Sequence, residues 1–273
     1  MNRNTETEAA LRRKKKRQKR RRELFHKIFF FSAAAFLLGV ICGKVLFASG
    51  AEESEPEKVE RYFETAESRK PEGQKSGSQE IPWELTLVNY KNFIDGAYAP
   101  ELSEIEDNYY FDRRAAESLK KMLKDGRSAG MDLVICSAYR TKEKQTSLYE
   151  NKVKRLQAEG LSYEEAYEEA KTEVAYPGTS EHQLGLAVDL VARSYQQLDE
   201  AQERTKEAKW LKENCWKYGF ILRYPPEKTE ETGVIYEPWH YRYVGMEAAE
   251  EITENNLCLE EYLEKEGILP KVE

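Results

Sequence analysis

The chain has 273 residues, 40% of them apolar, which is enough for one sizeable core with a terminal appendage. Its formal charge of -7 conceals a split: residues 1–27 carry 12 Lys/Arg against 3 Asp/Glu, whereas the part beyond Lys44 holds 30 against 47. An acidic body argues against nucleic acid as a partner, because phosphate binding needs clustered Lys and Arg, and four cysteines without a C-x-x-C pair leave no metal ribbon.

Between residues 12 and 22 every position except Gln18 is basic, and an apolar run over 28–43 continues past Lys44 through 45–51. Positive charge stays inside, so 1–27 reads as a cytoplasmic tail and 28–51 as a membrane-spanning helix that places the rest outside the cytoplasm. Lys44 lies near one end of that span, where its amine can snorkel. A cleavable signal peptide, leaving a secreted product, is the competing reading: the uninterrupted stretch falls short of roughly 20 residues, and Ala48-Ser49-Gly50-Ala51 suits a signal peptidase. Ile41 before Cys42 is not small, which argues against a lipoprotein signal. Residues 52–80 are rich in Glu, Lys, Ser, Gly and Pro and read as a disordered linker, because they have little to bury against the entropy of ordering.

The folded domain is expected over 81–270. Ala115, Ala116, Leu119, Met122 and Leu123 recur at helical spacing over 112–129, with Gly130 as the stop. A strand follows at 133–136. Thr141 can cap the next helix, and the alanine-rich acidic stretch 162–171 continues in helical character. Tyr176-Pro177-Gly178 breaks it, and 186–191 reads as a buried strand. One helix over 199–218 ending at Gly219, strands near 220–223 and 239–244, and helices near 246–255 and 259–266 complete the domain. Without regular β-α-β alternation, the pattern predicts an α+β fold with a small, largely antiparallel sheet flanked by helices. Of Cys136, Cys215 and Cys258 at least one must be free within the chain, and Cys136 reads as core packing.

Of the three histidines, His26 lies at the membrane flank, so the domain holds only His182 and His240. Strand parity puts Leu186, Val188 and Leu190 on one face and Asp189 on the other. An ionised Asp in an apolar strand must be hydrogen-bonded, paired with a cation or bound to metal. Backbone amides or an arginine would serve as well as an ion. The second cluster, Glu237-Pro238-Trp239-His240, adds a histidine with a carboxylate three residues before it, and Pro238 keeps Glu237 out of a helix. His182, Asp189 and His240 make a three-ligand zinc set with one position open, and Glu237 can be the base beside it. An aromatic-flanked histidine packed in the core is the alternative for His240.

Ser180-Glu181-His182-Gln183-Leu184-Gly185-Leu186-Ala187-Val188-Asp189 resembles the S-x-H-x-x-G-x-A-x-D signature of VanY-type D-alanyl-D-alanine carboxypeptidases, and residues 237–240 resemble their E-x-W-H element. The resemblance runs from about Trp83 to Tyr262. It implies His182, Asp189 and His240 as ligands of one zinc ion, with the metal site at the sheet, and Glu237 as catalytic base. Ser137-Ala138-Tyr139-Arg140-Thr141 and Gln145 match the segment that lines the family's substrate pocket. Tyr139, Arg140 and Gln145 are thereby implied in substrate binding, together with Ser180 and Trp239. The planar fork of Arg140 suits a terminal carboxylate or a developing oxyanion, although arginines more commonly end in surface salt bridges. The implied activity is removal of the C-terminal D-alanine from peptidoglycan stem peptides. Alternatives on the same scaffold are an L,D-carboxypeptidase, an endopeptidase, or a catalytically silent wall-binding domain.

Overall fold

The computed structural model describes residues 81–94 and 98–268. The expected basic tail, membrane span and linker lie outside them. Among the described residues no helix is long and apolar enough to cross a membrane. The described residues 81–94, 98–154 and 163–268 belong to one compact unit.

A hairpin occupies the region where the sequence suggested the first helix would begin. β1 (Leu102–Glu106) pairs antiparallel with β2 (Tyr109–Asp112) across Asp107 and Asn108, whose φ angles are 50° and 63°. Such a two-residue turn needs left-handed backbone, which Asp and Asn tolerate better than most side chains. The strand therefore claims Asp112, and helix α1 (Ala116–Ser128) starts later than the periodicity over 112–129 suggests. Leu119, Met122 and Leu123 are buried on its inner face. Each is worth about 1.5–3 kcal/mol on full burial, more than the ~1 kcal/mol that a helical glycine costs. Gly126 is tolerated in α1 for a packing reason: a Cβ there would lie 2.6 Å from Leu133 Cδ1 and 3.0 Å from the Trp210 ring.

After β3 (Leu133–Ser137), helix α2 (Lys142–Ala158) opens with Thr141 Oγ1 accepting from the Lys144 amide at 3.2 Å, the expected cap. Helix α3 (Tyr163–Ala170) follows, then β4 (Ala187–Ala192). The single helix expected over 199–218 is divided into a 3-10 turn (Glu200–Arg204), α4 (Lys206–Asn214) and a second 3-10 turn (Cys215–Tyr218). Thr205 makes the break. Its backbone is extended, its hydroxyl donates to the Gln202 carbonyl, and its oxygen accepts from the Ala208 amide, so a side chain competes with the helical ladder. Strand β5 (Phe220–Leu222), the short helix α5 (Thr229–Thr232), β6 (His240–Tyr243), α6 (Met246–Glu254) and α7 (Leu259–Lys265) finish the domain.

The main sheet has the order β3-β4-β6-β5 with every neighbouring pair antiparallel, an α+β arrangement as expected. One face packs Leu133, Ile135, Leu186, Val188, Leu190, Phe220 and Tyr241 against Leu119, Met122 and Leu123 of α1. The strand parity anticipated for Leu186, Val188 and Leu190 holds. Ile221, next to Phe220, belongs to a second cluster that joins Val244 to Ala248, Ala249 and Ile252 of α6 and to Leu259 and Leu263 of α7. Alternation along β5 thus ties two cores to one sheet. Cys136, Cys215 and Cys258 are all free thiols.

Candidate active site

Register brings the chemistry together. In the β4–β6 ladder Asp189 stands directly opposite His240, and cross-strand partners project to the same face. That face is opposite the one that Val188, Leu190 and Tyr241 bury. His240 Nδ1 lies 3.2 Å from Asp189 Oδ1. On the other side of β4, a register shift between Ile135 and Ser137 makes Ser137, rather than Cys136, the partner of Asp189. A one-residue slip changes the face that a strand presents, so this bulge turns Ser137 toward the site and aims the following Tyr139 and Arg140.

His182 comes from a 3-10 turn, Glu181–Leu184, closed by Gly185 at φ +74°. A Cβ on Gly185 would approach the Asp112 amide to 3.2 Å, and that amide donates to the Gly185 carbonyl at 2.9 Å. Positive φ and this close approach both demand glycine. His182 donates from Nδ1 to the Ala138 carbonyl at 2.7 Å, which leaves the Nε2 lone pair facing Asp189 Oδ1 at 3.3 Å. The two imidazoles meet edge to face, with centroids 4.9 Å apart.

His182 Nε2 and Asp189 Oδ1 are both buried without a hydrogen-bond partner. Orphaned polar atoms cost about 1–3 kcal/mol each, and here they are directed at one another's surroundings. One ligand atom from each of His182, Asp189 and His240 falls within 4.8 Å of the others. Two imidazole nitrogens and a carboxylate oxygen converging on unsatisfied space fit a divalent cation, with nitrogen and oxygen donors of the kind zinc takes.

Glu237 sits at the rim of this group. Its amide donates to the Tyr224 carbonyl, the His240 amide donates to its own carbonyl, and Oε2 lies 3.6 Å from His240 Nδ1. Burial pushes its carboxyl up to about 8; Asp189 and Glu181 add to the rise, and His240 and Arg140 oppose it. Burial disfavours a charged His240, yet the carboxylates of Asp189 and Glu181 beside it outweigh this and raise the imidazole to about 9. His182 is lowered to about 4, by burial first and then by Arg140. Asp189 resists the upward push of burial because His182 and Arg140 hold its carboxyl well below the usual range.

These shifts predict the pH dependence of metal binding. Below about pH 9 the ion must displace a proton from His240, so apparent affinity should rise with pH, by about tenfold or more per unit between roughly pH 6 and 8. His182, neutral above about 4, adds no slope there. Chelator competition across that range measures it, and a flat profile would contradict the arrangement.

Arg140 spends three donors inside the protein: Nε to Ser137 Oγ at 2.7 Å, Nη1 to Gln145 Oε1 at 3.3 Å and Nη2 to Asp189 Oδ2 at 2.6 Å. It thereby orients Asp189 and leaves Oδ1 available to a cation. Two guanidinium N–H groups remain, and its side chain keeps 17% exposure. Gln145 differs from the pocket-lining role implied for it: it is fully buried, and its amide nitrogen donates to the Ala175 carbonyl at 2.6 Å, so it supports Arg140. Ser180 and Trp239 are also buried, and the Trp239 carbonyl accepts from the Leu190 amide. Tyr139 stays partly exposed, its amide donating to the Tyr110 carbonyl.

Sequence reasoning assigned no role to Glu181, Arg223 or Arg242, although all three lie against the site. The cost of desolvating a charge among apolar neighbours marks the arginines as it marks Asp189. Each is a charge flanked by large side chains, in Leu222-Arg223-Tyr224 after β5 and in Tyr241-Arg242-Tyr243 within β6, that needs a counter-ion when buried.

A family model described as VanY, D-alanyl-D-alanine carboxypeptidase, matches residues 108–246. A D-alanyl-D-alanine carboxypeptidase of Enterococcus faecalis is 45% identical over 192 residues, 70% of this chain and 70% of that protein. The structure of VanYB in complex with D-alanine-D-alanine superposes with a TM-score of 0.63 at 45% identity, covering 68% of this chain and 99% of the other. A mutant of the vancomycin-resistance D,D-pentapeptidase VanY in complex with Zn(II) gives 0.62 at 45% identity, covering 67% and 99%.

Proposed function

Because the chain belongs to the VanY family of D-alanyl-D-alanine carboxypeptidases, we propose that it removes the C-terminal D-alanine from peptidoglycan stem peptides, using zinc held by His182, Asp189 and His240. The observation that carries this reading is the convergence of those three ligand atoms within 4.8 Å, two of them orphaned and buried, beside Glu237. The VanY structure with Zn(II) supports the choice of metal, and the VanYB complex with D-alanine-D-alanine supports the class of substrate.

When bound, zinc supplies Lewis acidity toward the scissile carbonyl and toward the attacking water. The chain supplies the proton traffic and the alignment. Glu237 Oε2 takes a proton from the attacking water and delivers it to the nitrogen of the departing D-alanine, so one carboxylate acts first as base and then as acid. Arg140 holds Asp189 in place with one arm, and its two remaining N–H groups are available to the terminal carboxylate or to the oxyanion. Gln145 and Ser137 fix the guanidinium plane.

The basic stretch at 12–22 ahead of the apolar run supports a membrane anchor over 28–51, with the linker over 52–80 giving the enzyme reach into the wall outside the cytoplasm.

Mass spectrometry of defined stems tests the reaction. Zinc-loaded protein should shorten a pentapeptide stem by one D-alanine and leave the tetrapeptide standing. Shortening of tetrapeptides would point to an L,D bond, and cleavage of cross-linked dimers to an endopeptidase. Full zinc loading with every stem uncut would favour a silent wall-binding domain.

A further inference from the structure

Behind His240 lies a group of buried charges that the proposed reaction does not use. Glu181 is 1% exposed; its Oε1 accepts from Arg223 Nε at 2.8 Å and from Arg242 Nη1 at 2.9 Å, and its Oε2 lies 3.4 Å from His240 Nε2. Arg223, fully buried, makes a second, two-pronged pair with Glu260 at 2.8 and 2.7 Å, and Asn89 Nδ2 donates to Glu260 Oε1 at 3.1 Å. Arg242 spends three further donors on backbone, with Nη2 reaching the Glu84 and Thr86 carbonyls and Nε the Tyr243 carbonyl. Two cations and two anions balance. Desolvating them still costs several kcal/mol per ion, and an apolar cluster of the same volume would often be as stable. Packing alone therefore does not account for the group.

We propose that Glu181 is a positioning residue for the metal centre: its carboxylate accepts a hydrogen bond from the Nε2–H of His240, holds the proton on that nitrogen, and so presents the Nδ1 lone pair to the ion. This rests on the reading of His240 as a zinc ligand. A neutral imidazole has one proton, and the acceptor at one nitrogen decides which nitrogen is left to coordinate. Nδ1 is the nitrogen that faces Asp189 and Glu237, at 3.2 and 3.6 Å. The two arginines can only donate, and both claim Oε1, which fixes the rotation of the carboxylate and leaves Oε2 for the ring. Tyr224, 4.9 Å from the imidazole centroid, limits the tilt of the ring.

Glutamine at this position would be misdirected by the same arginines. They would claim its carbonyl oxygen and turn its amide donors toward Nε2, driving the His240 proton onto Nδ1, where it blocks coordination. Two measurements on the full chain decide the matter. In zinc-loaded wild-type protein, 15N NMR should find the proton of His240 on Nε2. Zinc affinity from chelator competition should fall about 10–100-fold in Glu181→Gln, while Glu260→Gln, which breaks the same charge group without touching His240, should keep wild-type affinity despite a lower melting temperature. A proton on Nδ1 in the wild type, unchanged affinity in Glu181→Gln, or equal weakening in both variants would overturn the proposal. The wild-type NMR result stands even if Glu181→Gln does not fold. Wild-type protein that binds no zinc would sink the carboxypeptidase reading itself, a different outcome from a zinc centre indifferent to Glu181.

Discussion

Glu237→Gln should lower kcat by about 10²–10⁴-fold while zinc content, fold and KM stay close to wild type. The substitution keeps the shape of the side chain and removes its capacity to accept a proton. Glu237 is buried, its backbone is pinned at both ends to Tyr224 and His240, and its carboxylate lies 3.6 Å from His240 Nδ1, beside the three proposed ligands. An amide there leaves the attacking water without a base and the departing amine without an acid. The pH profile carries a second signature. Burial holds the carboxyl at about 8 in the metal-free protein, and a neighbouring cation favours the ionised form, so the acid limb of kcat/KM should lie below that value and should vanish in the variant. Assays of kcat, KM and metal content on the same preparation test this. Activity within tenfold of wild type would remove Glu237 from the mechanism.

Asp189→Asn should cost both the metal and much of the stability. Asp189 does two jobs with two oxygens: Oδ1 faces the histidines at 3.3 and 3.2 Å, and Oδ2 accepts from Arg140 at 2.6 Å. Neutralising it weakens ligation at the first oxygen and leaves the guanidinium without its anion at the second. Removing one partner of a buried ion pair typically costs about 3–5 kcal/mol, and the partial exposure of Arg140 places this case toward the lower end. Zinc affinity should fall by more than the 10–100-fold expected for an outer-shell partner. Urea unfolding of the metal-free protein and chelator competition read the two losses separately. Stoichiometric zinc together with unchanged stability would show that Asp189 is neither ligand nor counter-ion.

The proposed ligands and base could be picked out in the sequence because their chemistry is local. An aspartate in an apolar strand, two histidines each with an acidic neighbour, and a proline that keeps Glu237 out of a helix are properties of short stretches, and so are the Thr141 cap and the alternation of Leu186, Val188 and Leu190. Other signals were local but overruled. Helical periodicity from residue 112 lost its first turn where a hairpin set by Asp107 and Asn108 claims Asp112, and one long helix was divided by the hydroxyl of Thr205.

What the chain order alone determined, then, was the kind of chemistry: which side chains need an ion, a proton or a cap, since desolvation and backbone preference act on each residue where it stands. What only the tertiary structure decided was who meets whom. The pairing of Asp189 with His240, the bulge that turns Ser137 toward them, the diversion of Gln145 into supporting Arg140, and the contact of Glu181 with both arginines and His240 join residues up to 61 positions apart. Strand register and buried charge balance are collective, because each is set by all the partners a segment acquires when the sheet closes.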